Sequence, residues 1–260
     1  MDNANDRSKN VGRRTARTGA ALFVLAVVAA LMVFTATEER DLEGSGAAST
    51  GVAPTATQDL PCPQVEAPSS SPRQYDEAPD LDLQPRVDYT AVIRTSCGDI
   101  ELDLLETEAP RTVANFVFLA DDGFYNGLTW HRIERNFVVG TGDPNGIIGR
   151  EPDGPGYTIP DEFPPPKSEY VYGMVAMTNE GPGTGGSQFF IVVHDPEGKR
   201  EHSGINSVYS IFGSVAESSF DTLDKIAGMP VKGRDAMNAS RPVVPVYIES
   251  VEVRRDGPAR

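Results

Sequence analysis

A mainly β fold, built as a closed barrel capped by two helices, is what this sequence predicts, and three observations carry the prediction. Short runs with period-2 alternation recur from Tyr89 onward, each bounded by glycine- and proline-containing loops. Only two segments in that stretch carry the helical period. Many short strands with two helices suit a barrel closed at its ends. The residues before 87 show neither period and read as separate from the packed domain, placed at 87–255.

Taken in order, Tyr89 to Thr95 and Ile100 to Leu105 alternate as strands joined by the Cys97-Gly98-Asp99 turn. Pro110 suits the first turn of a helix, where a missing N–H costs nothing. Val113, Phe116, Val117 and Ala120 form its apolar stripe, and Gly123 ends it. Strands are expected near Leu128–Ile133, Phe137–Gly140, Gly173–Met177, Phe189–Val193 and Ser210–Phe212. A second helix fits Phe220 to Ala227, with Phe220, Leu223 and Ile226 inward and Gly228 after it. Val244 to Val253 alternates again and closes the domain.

The N-terminal part divides by composition. Residues 1–17 form a basic tip with Arg7, Lys9, Arg13, Arg14 and Arg17 against Asp2 and Asp6. An uninterrupted apolar run, Gly19 to Phe34, lies within residues 18–37. Basic residues before such a run orient it with its N-terminus in the cytoplasm. Cleavage after Ala36 would put Phe34 at the −3 position, and no cysteine stands just after the run. The segment therefore reads as an uncleaved transmembrane signal anchor, with secretion after cleavage as the alternative. Residues 38–86, rich in proline, serine and alanine, read as a disordered spacer. The chain carries 23 basic and 38 acidic residues, a net charge of −15. A phosphate backbone needs a basic surface, so nucleic acid is excluded as a partner. Cys62 and Cys97 are the two cysteines. On the outer side of a membrane they are expected to form a disulfide tying the spacer to the domain, the other reading being two unrelated thiols.

The chemistry-bearing residues lie in two segments. Trp130-His131-Arg132-Ile133 is followed by Phe137, and Gly186-Ser187-Gln188-Phe189-Phe190 comes later. Arginine, glutamine and separated aromatics include no nucleophile, and no base or metal cluster accompanies them. That set suits rotation about an X–Pro bond, a reaction in which no covalent bond forms or breaks. Its barrier, about 18–20 kcal/mol, is the lost amide resonance. Other motifs carry less. Gly181 to Gly186 matches G-x-G-x-x-G, but a strand is expected after it where a dinucleotide site needs a helix. Ser187 lacks the hydrolase elbow. His194 and His202 have no ligand spacing with a cysteine, so no metal is expected. His131, by alternation, faces away from Arg132 as a hydrogen-bonded structural residue. Asp121-Asp122 and Asp161-Glu162 read as solvated or turn residues, and Asn238-Ala239-Ser240 is a formal glycosylation sequon.

The ordered set resembles cyclophilins, the β-barrel peptidyl-prolyl isomerases. Ala109 to Phe116 resembles their first helix, and Gly123-Phe124-Tyr125-Asn126-Gly127 the turn after it. His131-Arg132, Phe137, Gly142-Asp143-Pro144, Met177 to Pro182, Gly186 to Phe190 and Ile211 to Val215 follow in family order. The resemblance implies a cofactor-free isomerase with Arg132 as the catalytic arginine. It places Phe137 and Phe190 around the substrate proline, and Gln188 and Asn179 along the peptide backbone. Val138, Thr178 and Tyr209 stand at substrate-binding positions where the family commonly has methionine, alanine and histidine. Gly140 stands where a glutamine normally helps orient the arginine. The only tryptophan is Trp130, so the family's drug-binding rim has no counterpart. The implied partners are proline-containing unfolded or exported polypeptides, met by a monomer outside the cell membrane. The departures open a second reading, a module that grips proline peptides with little turnover.

Overall fold

The computed structural model describes residues 59–70, 73–80, 82–146, 154–193, 204–233 and 240–257. The expected basic tip, the anchor and residues 38–58 of the spacer lie outside the described residues. Among the described residues no helix is long and apolar enough to cross a membrane.

Eight strands make one antiparallel sheet: β1 (Asp88–Thr95), β2 (Gly98–Leu104), β3 (Arg132–Glu134), β4 (Val138–Thr141), β5 (Met174–Met177), β6 (Phe189–Val192), β7 (Ile211–Val215) and β8 (Ile248–Asp256). Their order across the sheet is β3-β4-β6-β5-β7-β2-β1-β8. β1 pairs with β2 through Ala91↔Leu102 and Ile93↔Ile100. All four side chains are fully buried, as alternation along the pleat requires. The sheet is curled and keeps two edges, β3 and β8. In place of the expected closed barrel this is a half-barrel, and the segments ahead of the two edges meet only in an isolated pairing: Gly127 N–H donates to Ile248 O, Ile248 N–H to Leu128 O, and Trp130 N–H to Val246 O. Pro242 and Pro245, which have no N–H to donate, precede this pairing and keep β8 from starting at Val244. The run Leu128–Ile133 accordingly divides between this pairing and β3.

Helix α1 (Pro110–Asp121) packs its Val113, Phe116, Val117 and Ala120 stripe into the curl, and α2 (Phe220–Ala227) closes the other side with Leu223 and Ile226. A 3-10 turn, Glu217–Ser219, leads into α2. The N-cap of α1 is Ala109, which has no capping side chain. Glu162 supplies the cap from a distant loop: its carboxylate accepts from Arg111 N–H at 3.0 Å and from Thr112 N–H and Oγ1, both at 2.7 Å. A carboxylate there satisfies orphan donors and complements the helix dipole. The acidic pairs read as solvated faces are therefore partnered. Asp121 binds Arg255, Asp122 binds Arg73, and Asp161 accepts from Gly183 N–H.

The spacer expected to run to residue 86 is laid onto the domain over its described part. Cys62 is buried and forms a disulfide with Cys97, their Cα atoms 4.8 Å apart. Tyr75 packs edge-on against Phe118 at 5.2 Å and Tyr157 at 6.0 Å, while its hydroxyl donates to Asp122. Its backbone N–H donates to Pro155 O, and Gln74 Nε2 to Gly154 O. One aromatic anchor and one covalent tether are enough to order a segment whose average composition reads as disordered. The domain boundary thus includes this strap.

Candidate active site

The groove face of the sheet is set by register. Arg132 lies opposite Gly140, Glu134 opposite Val138, and Gly140 opposite Phe190. Cross-strand partners share a face, so Arg132, Glu134, Val138 and Phe190 project together. Ile133, Val139, Ile191 and Phe189 point into the core. Val138, Phe190, Ala176 and Ile211 form a separate apolar cluster with Phe137 and Tyr209 against it.

Two adjoining hollows lie on this face. One, of about 240 Å³, is lined by Arg132, Phe137, Val138, Thr178, Phe190 and Tyr209, with 204–206 and Val208 at its rim. Phe190 and Tyr209 meet edge to face at 5.3 Å, making two of its walls. The other, of about 270 Å³, shares Arg132, Thr178 and Phe190 and adds Asn179, Gln188, Pro155 and Tyr157. All eight residues singled out from the sequence thus lie on one or both hollows.

Local structure holds each in place. Asn136 takes φ 65° in the β3–β4 turn, and Phe137 N–H donates to Glu134 O at 2.9 Å. Asparagine tolerates that left-handed backbone better than most residues. Asn179 Nδ2 donates to Val208 O, tying the larger hollow to the apolar one, and Thr178 N–H donates to Gln188 O. Gly142 has φ 89°, and a Cβ there would come within 2.3 Å of Ser187 O, so only glycine fits. Ser187 is buried and donates to Gly142 O at 2.7 Å, which makes it a structural latch between loops. The segment after Gly186 runs into β6, the strand expected there.

The sequence reading missed two contributors. Asn115 sits in the helical stripe yet donates Nδ2–H to Gly186 O at 2.7 Å and accepts from Tyr157 OH at 2.7 Å. A buried polar residue amid Val113, Phe116 and Val117 was the available clue. Glu134 was also overlooked; it accepts from Arg132 Nε at 2.8 Å.

His131 is buried beside Arg132 and borders the larger hollow. Burial first, then the positive charges of Arg132 and Arg241, lower its pKa from 6.5 to about 4. The unfolded chain therefore binds the proton more readily between those values, and stability falls as pH drops from 6.5 towards 4. The loss is on the order of 3 kcal/mol at the acid end. Thermal melts of wild type and His131→Gln across that window check this: the variant is expected to show a flatter acid decline, and parallel curves would refute the assignment.

Comparison with known proteins agrees in extent with this domain. The model of the family described as "Cyclophilin type peptidyl-prolyl cis-trans isomerase/CLD" matches residues 90–253. "Peptidyl-prolyl cis-trans isomerase A" of Mycobacterium tuberculosis is 38% identical over 185 residues, covering 65% of this chain and 94% of that protein. "Peptidyl-prolyl cis-trans isomerase B" of Streptomyces anulatus is 37% identical over 179 residues, covering 63% and 95%. A crystal structure of a cyclophilin type isomerase from Cryptosporidium parvum, solved in the presence of the dipeptide Ala-Pro, superposes with a TM-score of 0.54 at 26% identity, covering 64% of this chain and 99% of that one.

Proposed function

The chain belongs to the cyclophilin-type peptidyl-prolyl cis-trans isomerases, and we propose that it is a bacterial, membrane-anchored member acting on exported or envelope polypeptides through Arg132 and the two hollows beside it. The observation that carries the site assignment is the 240 Å³ hollow in which an arginine stands against Phe137, Val138, Phe190 and Tyr209. Its apolar walls suit a proline ring, and its charged edge suits the prolyl nitrogen.

The mechanism follows from where charge changes during rotation. Twisting the X–Pro amide breaks its resonance and localises a lone pair on the prolyl nitrogen. The Arg132 guanidinium donates a hydrogen bond to that lone pair, which is available only in the twisted state. The interaction therefore favours the transition state over either ground state. Phe137 and Phe190 fix the ring while Gln188 and Asn179, in the adjoining hollow, hold the flanking backbone, so that rotation is confined to one bond. The chemistry requires no cofactor.

The envelope location is supported by the order of basic tip, apolar run and acidic remainder, and by a disulfide, which persists in oxidising compartments. The protein is proposed to act there as a monomer. A proline-peptide isomerisation assay on the full-length chain tests the function. Acceleration is expected; binding without acceleration would favour a peptide-gripping module instead. Protease added outside spheroplasts is expected to release the domain and leave a short membrane stub. Full-length chain protected until the membrane is opened would overturn the topology.

A further inference from the structure

We propose that Glu134 is the residue that positions Arg132 for catalysis, taking over an orienting task that the facing strand cannot perform. The inference rests on the isomerase reading above and concerns the same site. Arg132 and Glu134 lie two residues apart on β3, on one face of the strand. Arg132 Nε donates to Glu134 Oε1 at 2.8 Å, with the two side chains 33% and 37% exposed. Across the ladder, Arg132 faces Gly140, which has no side chain to offer. The arginine occupies that space: a Cβ at position 140 would sit 3.3 Å from Arg132 Cβ and 3.6 Å from Cδ. The stem is thus laid over the glycine, and the planar fork is oriented from its Nε edge.

That choice of edge matters chemically. A guanidinium is planar and its donors are fixed relative to one another. Engaging Nε defines the plane, and among the described residues no hydrogen bond is made by Nη1 or Nη2, so they are left to face the prolyl nitrogen. Glu134 is itself steadied. Its Oε1 also accepts from Ser240 Oγ at 3.4 Å, and Ile133 N–H donates to Ser240 O at 2.7 Å, fastening the 240 segment alongside β3. Arg132, Glu134 and Ser240 form a short chain in which only the arginine reaches the substrate hollow. An ion pair about a third exposed contributes little to folding stability, so removing it is expected to show in turnover and leave the melting temperature nearly unchanged.

The test uses the full-length protein. Exchange spectroscopy on a proline-containing peptide separates kcat from KM, and the Arg132 Nε–Hε resonance is read in the same samples. Glu134→Ala is expected to lower kcat roughly ten-fold with KM and Tm little changed, and to shift and broaden the Nε–Hε signal. Glu134→Gln keeps an acceptor oxygen at the same place and is expected to restore most of kcat and the sharp signal. Wild-type kcat in Glu134→Ala would overturn the proposal, as would a loss that tracks a fall in Tm while the Nε–Hε signal stays put. A wild-type protein that fails to accelerate isomerisation would sink the isomerase reading; the Nε–Hε comparison would still decide whether Glu134 holds Arg132.

Discussion

Replacing Arg132 by alanine is expected to lower kcat/KM by roughly 10²–10³-fold, the size of effect seen when a single preorganised donor to a transition state is removed. The side chain is a third exposed and lies over Gly140 on the groove face, outside the core. Its loss therefore leaves the sheet intact, and circular dichroism and Tm should match the wild type. Arg132→Lys should recover only part of the rate. An ammonium keeps the charge but cannot bond Glu134 and the prolyl nitrogen along the two edges of one plane. Equal kcat/KM for wild type and Arg132→Ala would refute the catalytic assignment.

The largest effect on stability is expected from Phe189→Ala. Phe189 is buried at the centre of an aromatic cluster, with ring centroids 5.7 Å from Phe116, 5.7 Å from Tyr125, 5.9 Å from Phe212 and 6.3 Å from Trp130, all near-perpendicular. Edge-to-face pairs add to the burial of each ring. Truncation opens a cavity that helix α1 on one side and the sheet on the other cannot collapse to fill. A loss of about 3–5 kcal/mol is expected in urea unfolding. A change below about 1 kcal/mol would mean that the cluster repacks freely, which a core of native density does not do. Phe190, one residue on, faces the groove, so Phe190→Ala serves as the contrasting variant of equal composition.

Local periodicity made most of the fold legible. Alternation in Tyr89–Thr95 and Ile100–Leu105, and the helical stripe from Val113 to Ala120, depend only on neighbours in the chain, and β1, β2 and α1 appear there. The second helix matches at both ends because Phe220, Leu223 and Ile226 keep their period up to Gly228. Features that depend on distant partners were not readable. The α1 cap comes from Glu162, separated from Thr112 by 50 positions. The link between the segments ahead of the half-barrel's two edges is an isolated bridge, Thr129↔Tyr247. The strap at Tyr75 is held by rings on other elements, which composition cannot report. The site divides in the same way. Arg132, Phe137, Gln188 and Phe190 were recognisable as an ordered linear set. The meaning of Glu134 appears only once the register places Gly140 opposite Arg132.

The disulfide has a mechanical side. Cys62 is joined to Cys97, in the turn between β1 and β2, across a sequence separation of 35. A pull on the chain ahead of Cys62 has a covalent route through the sulfurs into that turn, which bypasses the strap around Tyr75. With the bond opened by reduction, the same pull would enter at residue 62 and run along the strap, loading Tyr75 and the Gly154–Pro155 wall of the substrate groove before it reached the sheet. The bond therefore acts as a strain relief, giving a tug on the chain ahead of the domain a shorter covalent path than the strap and the Gly154–Pro155 wall it touches.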